Sequence, residues 1–217
     1  NTRQALCERL HEGAQSELSK ACLDARLNFD VRRTSGDPLE VLPNEARFHD
    51  LVITSLGSAD DGENGGTAGQ LSLGDLAALL RRGVQPLLVL PARQKAIERV
   101  LMVYDGSEAA GRTIRSFLGL GVMRHADYRL LAVGPTEAAA RESLTEMAEY
   151  CSARCDSLET GCVTGKVRQV LVPYAAKWEA DLVVLGVSRS HRLLQRLLGK
   201  ASLDLVAALD CALFVQA

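Results

Sequence analysis

The sequence predicts an α/β protein made of two open parallel-sheet units in tandem, the first of them incomplete at its start. Short β-branched apolar runs alternate with longer segments of helical periodicity, and the run at residues 182–185 is the clearest. This run stops at Gly186, and it is too short for a buried helix but typical of a buried parallel strand. Strands that alternate with helices imply right-handed crossovers and a parallel sheet. One such stretch also occurs twice, at residues 50–53 and 181–184, which indicates an internal repeat.

Composition favours a self-contained globular protein. The 217 residues are 47% apolar and 4% aromatic, enough for an aliphatic core in one large domain or in two domains of about 100 residues. The net charge of −2 provides no field that would attract nucleic acid or a membrane surface. No apolar run approaches the roughly 18–20 residues that span a bilayer, and the polar opening does not resemble a signal peptide. We therefore expect a cytoplasmic protein with neither a nucleic-acid nor a membrane partner.

The six cysteines are expected to be free thiols in a reducing compartment. Cys151 and Cys155 stand one helical turn apart, which suits a metal pair, but no Cys-x-x-Cys motif or nearby histidine pair completes four ligands. The four histidines are scattered and do not combine with a serine or cysteine and a carboxylate in a recognisable order. We expect no metal site, no catalytic residues and no enzyme activity in the ordinary sense.

The first predicted unit covers residues 1–93. Its apolar spacing predicts helices at 4–27, 39–48 and 71–80, and strands at 29–31, 50–55 and 87–90. Asp37 with Pro38 starts the second helix, and Ser72 caps the third. Residues 58–69 are acidic and glycine-rich but contain no Gly-Lys-Ser/Thr, so we expect a solvated loop rather than a phosphate loop. A linker follows at 92–96.

The second predicted unit covers residues 98–217 and is complete. The predicted strands lie at 100–104, 128–133, 181–185 and 211–215, and the predicted helices at 109–118, 137–158, 167–177 and 203–209. Ser107, in the turn before the first of these helices, is predicted to be a helix cap rather than a nucleophile. The helix at 137–158 has an inward stripe that includes Leu144, Ala148, Cys151 and Cys155. No residue before Asn1 corresponds to 99–133, so the first unit lacks a strand, a helix and a strand. We expect a fragment, a processed product or an incomplete record, the alternative being a half-unit that borrows strands from a partner.

Together these residues resemble the universal stress protein family in its tandem form. The resemblance covers nearly the whole chain, strongly from Arg99 onward, and rests on residues 103–108, 130–133, 181–186, 193–199 and 211–215. It implies two Rossmann-like units of the adenine nucleotide alpha hydrolase-like kind. It also implies pseudo-twofold pairing of the two units through apolar terminal strands such as 211–215, and a homodimer.

The family's nucleotide pattern is Gly, two residues, Gly, nine residues, Gly and then Ser or Thr. In this chain those positions are Gly186, Arg189, Gly199 and Lys200, so two glycines remain. Arg189 brings a Cβ to a turn that favours glycine, whereas Lys200 replaces a hydroxyl with a cation that suits phosphate. The resemblance implies ATP as the one possible cofactor, in the second unit only. The implied nucleotide-binding residues are Tyr104, Asp105, Val133, Gly186, Ser188, Arg189, Gly199, Lys200, Ala201 and Ser202.

The sequence leaves three functions open. The favoured one is a stress-response regulatory protein with a degenerate nucleotide cleft, which works through dimerisation and partner binding. The alternative is an ATP-binding protein whose association depends on nucleotide, with at most very slow ATP hydrolysis. The third is a regulatory module cut from a larger protein such as a transporter or kinase. The basic residues from Arg189 to Lys200 fit either a phosphate site or an ordinary solvated face.

Overall fold

The computed structural model describes residues 2–34, 36–55, 71–84, 86–91, 95–187, 208–209 and 211–217. The described helices are α1 (Thr2–Asp24), α2 (Pro38–Glu45), α3 (Leu73–Arg81), α4 (Glu108–Leu120), α5 (Glu137–Ser152) and α6 (Val167–Trp178), with a 3-10 turn at Ala46–Phe48. The described strands are β1 (Val52–Ser55), β2 (Leu87–Leu90), β3 (Arg99–Tyr104), β4 (Asp127–Gly134), β5 (Leu158–Thr164), β6 (Leu182–Gly186) and β7 (Ala212–Gln216). The predicted loop at 58–69, most of the linker at 92–96 and most of the helix at 203–209 lie outside the described residues.

The chain divides into two compact units, Asn1–Asp37 and Pro38–Ala217. The first contains α1, and Arg33 ties the chain that follows back to this helix through hydrogen bonds to the Gln15 side chain at 2.8 and 3.2 Å. The strand predicted at 29–31 is wrong, because these residues form no strand and are largely exposed. A three-residue apolar–polar alternation becomes a strand only where a neighbouring strand accepts its hydrogen bonds.

The second unit is organised around one seven-stranded sheet in the order β1-β2-β7-β6-β3-β4-β5. Every neighbouring pair is parallel except β2 and β7, which are antiparallel. The mostly parallel α/β class predicted from sequence is therefore confirmed. The predicted boundary between 93 and 98 falls inside this unit, and the β2–β7 pair joins the strands on its two sides.

The antiparallel pair has a symmetric register. Leu87 lies opposite Val215 and Val89 opposite Leu213, and between them Leu88 faces Phe214. Exchanging the two strands about the Leu88–Phe214 pair reproduces the same contacts. The neighbouring pairs continue the correspondence, because Ile53 lies beside Leu88 as Val184 lies beside Phe214. The terminal strands of the two predicted units thus pair edge to edge around a local pseudo-twofold axis.

Each face of the sheet has its own apolar core. One face packs against residues of α3 and α6, and the other packs against α4 and α5. On the second face the rings of Phe117 and Phe214 meet edge to face with centroids 5.0 Å apart. Alternate strand residues supply the two cores, as expected when both sides of a parallel sheet are covered.

Two strands differ from the prediction. β5 was missed, because Cys151, Cys155 and Leu158 have helical spacing, yet α5 ends at Ser152 and Leu158 begins an edge strand. β1 is a strand as predicted, but it is not fully buried, since Ile53 is 60% exposed. The described helices on that face cover β6 and its neighbours instead.

Candidate functional site

The candidate site lies where the strand order of the sheet reverses. β3 is flanked by β4 on one side and β6 on the other, and the chain runs from β3 outward in both directions. Val103 pairs with Leu185, so Tyr104 and Gly186 end the two strands side by side at the same edge. In open α/β sheets this switch point, at the carboxyl ends of the strands, is where ligands bind. Asp105 and Gly186, which the sequence assigned to one cleft, therefore do lie on adjacent strands.

Asp105 starts a tight turn from β3 into α4. Its exposed carboxylate accepts a hydrogen bond from the Ser107 backbone N–H at 3.0 Å, and Gly106 between them has φ +77°. The Ser107 hydroxyl oxygen in turn accepts from the Ala110 N–H at 3.2 Å and caps the helix. The prediction of Ser107 as a helix cap is confirmed. An aspartate, a left-handed glycine and a serine cap together form a compact link between strand and helix.

Position 186 has room only for glycine, because the first turn of α4 packs directly against its backbone. A Cβ added there would lie 2.5 Å from the Ala109 oxygen and from the Ala110 nitrogen and Cα. These are backbone atoms in the first turn of α4, and they cannot move aside as a side chain can. The glycine that the sequence linked to nucleotide binding therefore has a structural role, which is to let α4 begin beside the end of β6.

Gly134 plays the same part on the next strand and was not singled out from sequence. A Cβ at this position would lie 2.8 Å from the Ala140 nitrogen, in the first turn of α5. Two helices thus start close to the carboxyl edge of the sheet, and both closest approaches occur at a glycine. The signal in the sequence was a glycine directly after an apolar strand, followed by a helix cap at Thr136.

The remaining predicted residues divide into three groups. Tyr104 is partly buried and packs with the α4 side of the core, and its ring approaches Gly111. Val133 is only 4% exposed and belongs to the core on the opposite face. The other predicted nucleotide-binding residues, which are Ser188, Arg189, Gly199, Lys200, Ala201 and Ser202, lie outside the described residues.

The described part of the crevice is acidic. Asp105 and Glu108 are both exposed. Asp105 lies in the turn before α4, and Glu108 is the first residue of that helix. Carboxylates at a helix N-terminus interact favourably with the partial positive charge of the helix. The same charge would attract a phosphate, so these carboxylates compete with a phosphate for it. The cations that favour phosphate, Arg189 and Lys200, come from the sequence beyond β6.

The opposite, amino-terminal edge of the sheet holds a polar depression of about 280 Å³. Beside it the Arg129 guanidinium lies 4.8 Å from the centre of the Trp178 ring and is hydrogen-bonded to Glu159. Arg99 donates to Glu179 at 2.7 Å. The charged groups at this edge largely neutralise one another, in contrast to the acidic start of α4.

Cys22, Cys151, Cys155 and Cys162 form no disulfide, and Cys151 is buried. Burial raises the pKa of the Cys151 thiol to about 12 and that of Cys155 to about 11. Both therefore stay protonated at neutral pH, which disfavours nucleophilic or metal-binding chemistry. Within the described part of the chain, no group of three or more His, Cys, Asp or Glu residues is arranged to hold a metal ion. No helix of that part is both long and apolar enough to cross a membrane.

Comparison with known proteins agrees with the fold. The model of the universal stress protein family matches residues 96–215. The fold is an open, mostly parallel α/β sheet whose strand order reverses at β3. Since the match covers more than half of the sequence, the chain belongs to the universal stress protein family. No curated protein matches it.

Solved structures support the same fold. A universal stress protein from Archaeoglobus fulgidus DSM 4304 has a TM-score of 0.70 and 15% identity, covering 96% of this chain and 77% of its own. A functionally unknown protein from Pseudomonas aeruginosa PAO1 has a TM-score of 0.64 and 18% identity. The match covers 95% of this chain and 77% of that protein. A universal stress protein in complex with cAMP has a TM-score of 0.48 and 21% identity, covering 57% of this chain and 98% of its own. That last similarity is too low to support a ligand for this chain.

Proposed function

We propose that this protein is a non-catalytic, cytoplasmic regulatory protein of the universal stress protein type, which acts by associating with a second copy and with a protein partner. The observation that supports this proposal is the β2–β7 pair. Two apolar terminal strands meet edge to edge, and Leu88 and Phe214 at the centre are 6% and 1% exposed. Strand-edge association is thus a means of assembly that the chain already uses between its predicted tandem units.

A homodimer would need a surface other than this edge. The hydrogen-bonding edges of β2 and β7 are both satisfied within the chain, because β2 lies between β1 and β7, and β7 lies between β2 and β6. Light scattering coupled to size-exclusion chromatography measures the mass in solution. We expect a mass of two chains, and a single-chain mass across micromolar concentrations would contradict this part of the proposal.

The proposal also holds that the nucleotide cleft is degenerate. Arg189 and Lys200 stand where the family pattern has Gly and Ser or Thr, and the start of α4 already carries Asp105 and Glu108. A ligand that binds only the folded state raises the unfolding temperature. We expect no thermal shift with millimolar ATP and Mg²⁺, and a measurable shift once Arg189→Gly and Lys200→Ser restore the family pattern. Stabilisation of the parent protein by ATP would overturn the proposal.

The second candidate is an ATP-binding protein whose association depends on nucleotide. The observation in its favour is that Asp105 and Gly186 end adjacent strands at the switch point, beside the start of α4. Under this function equilibrium dialysis detects bound ATP, and Asp105→Ala weakens it. Asp127→Ala is the matched control, because Asp127 is an exposed aspartate at the opposite edge of the sheet. Release of ADP by bound protein would separately contradict the non-catalytic assignment.

A further inference from the structure

The polar depression at the amino-terminal edge of the sheet is formed where three strands begin and α6 ends. Arg99 and Asp127 are the first residues of β3 and β4 and lie side by side, whereas Lys177 and Trp178 are the last residues of α6. The depression has a volume of about 280 Å³ and is lined by Arg99, Asp127, Ser157, Glu159, Lys177 and Trp178. A ligand here would be separate from one in the crevice at the opposite edge.

Several contacts hold the walls of this depression in place. The Arg129 guanidinium lies 4.8 Å from the centre of the Trp178 ring and donates to the Glu159 carboxylate at 2.9 Å. Arg99 donates to the Trp178 carbonyl oxygen at 3.3 Å and to the Glu179 carboxylate at 2.7 Å. The indole ring and its two charged neighbours are therefore oriented before a ligand arrives, which lowers the entropic cost of binding.

Two charged groups of the lining have no partner among the described residues. Arg99 and Glu159 are each part of an ion pair. In contrast, the Asp127 carboxylate and the Lys177 ammonium group make no hydrogen bond or ion pair to any residue that the structure describes, and both side chains are exposed. The Ser157 hydroxyl has no such bond either. The depression thus presents one unpaired anion, one unpaired cation and a hydroxyl group beside an aromatic ring.

We propose that this depression binds a free α-amino acid with an apolar side chain. The ammonium group of the ligand pairs with Asp127, and its carboxylate pairs with Lys177 and accepts a hydrogen bond from the Ser157 hydroxyl. The apolar side chain contacts the Trp178 ring. This site does not depend on whether the crevice beside Gly186 binds nucleotide.

The charges of the lining favour a zwitterion over other small ligands. A ligand with a single sign of charge would face either Asp127 or Lys177 without compensation, whereas an amino acid matches both. A charged side chain would find no further partner, because Arg99 and Glu159 are already paired. Pockets for drug-sized ligands have volumes of about 300–1,000 Å³, so a depression at the lower end of that range suits a small molecule.

Isothermal titration calorimetry of the full chain tests the proposal, with L-leucine as the probe. We expect saturable binding of one leucine per chain at millimolar concentrations. Two analogues each lack one charge: 3-methylbutylamine is leucine without its carboxylate, and 4-methylpentanoate is leucine without its ammonium group. Each should bind roughly fivefold more weakly than leucine, as expected for the loss of one exposed ion pair.

Variants of the lining assign each charge of the ligand to its partner. Asp127→Asn should weaken leucine binding roughly fivefold without weakening 4-methylpentanoate, and Lys177→Gln should weaken leucine equally without weakening 3-methylbutylamine. Glu146→Gln and Lys166→Gln are the controls, because they make the same charge changes at exposed positions elsewhere. Glu146 lies on α5, and Lys166 precedes the opposite end of α6. Both controls should bind leucine like the parent.

Three results would overturn the proposal directly: no saturable leucine binding, an analogue that binds as tightly as leucine, or a control variant that weakens binding as much as the lining variants do. Equal losses of leucine and 4-methylpentanoate on Asp127→Asn would also overturn it. In that case the Asp127 carboxylate would act on binding without an ammonium group to pair with.

Discussion

β1 and β6 are built from nearly the same residues and are in opposite environments. Each follows an aspartate and begins Leu-Val, and Ile53 stands where β6 has Val184. Val184 is covered by α4, whose Ile114 and Phe117 belong to the same core, whereas Ile53 is 60% exposed. The comparison extends to the strand ends, where β6 has Gly186 and β1 has Ser55. The glycine is needed only where a helix lies against the strand.

The largest expected difference is at these strand ends. Gly186→Ala places a Cβ 2.5 Å from backbone atoms of Ala109 and Ala110, so α4 must shift. We expect a loss of about 3 kcal/mol in the free energy of unfolding. Ser55→Ala, at the equivalent place on β1, should change it by less than about 0.5 kcal/mol. Urea denaturation measures both, and equal losses would remove the basis of the comparison.

The two aspartates should differ next. Asp181→Ala leaves the N–H groups of Glu98 and Arg99 without their acceptor, which we expect to cost about 2 kcal/mol. Asp50→Ala removes no hydrogen bond to a described residue, so its effect on unfolding should stay below about 0.5 kcal/mol. The same denaturation series checks this pair. A costly Asp50→Ala would mean that Asp50 already serves a structural role within the chain.

The last expected effect appears only at alkaline pH, as a gradual loss of stability that comes from the second half of the sheet. Burial raises the pKa of Tyr128 from 10.0 to about 12, and the pKa of Cys151 from 9.0 to about 12. The folded state therefore holds these protons more tightly than the unfolded state. Their stabilising contribution is complete below about pH 9 and is lost as pH rises toward 12.

Urea midpoints measured from pH 8 to pH 11 test this expectation. The decline should be shallower in a Tyr128→Phe, Cys151→Ala double variant, although that variant starts from a lower stability because it loses the Tyr128 hydrogen bond to the Met123 carbonyl. An unchanged slope would show that other groups cause the alkaline loss.

Much of the architecture could be predicted from the sequence. Apolar runs with the period of a strand, and caps such as Ser72 and Ser107, located most strands and the starts of α3 and α4. The wrong strand at 29–31 and the missed strand at 158–164 have one cause, since whether a short segment is a strand depends on whether another strand lies beside it. The sequence of a short segment does not show which strand will lie beside it.

The sequence by itself determined the α/β class, the repeat around Asp50 and Asp181, and the position of Asp105 after a strand that borders β6. These follow from local periodicity, which is a property of a few consecutive residues. Tertiary structure alone decided that Gly186 serves the packing of α4, that β2 pairs with β7, and that Ile53 is exposed whereas Val184 is buried. Each of these depends on which backbone lies next to which, and residues distant along the chain determine that.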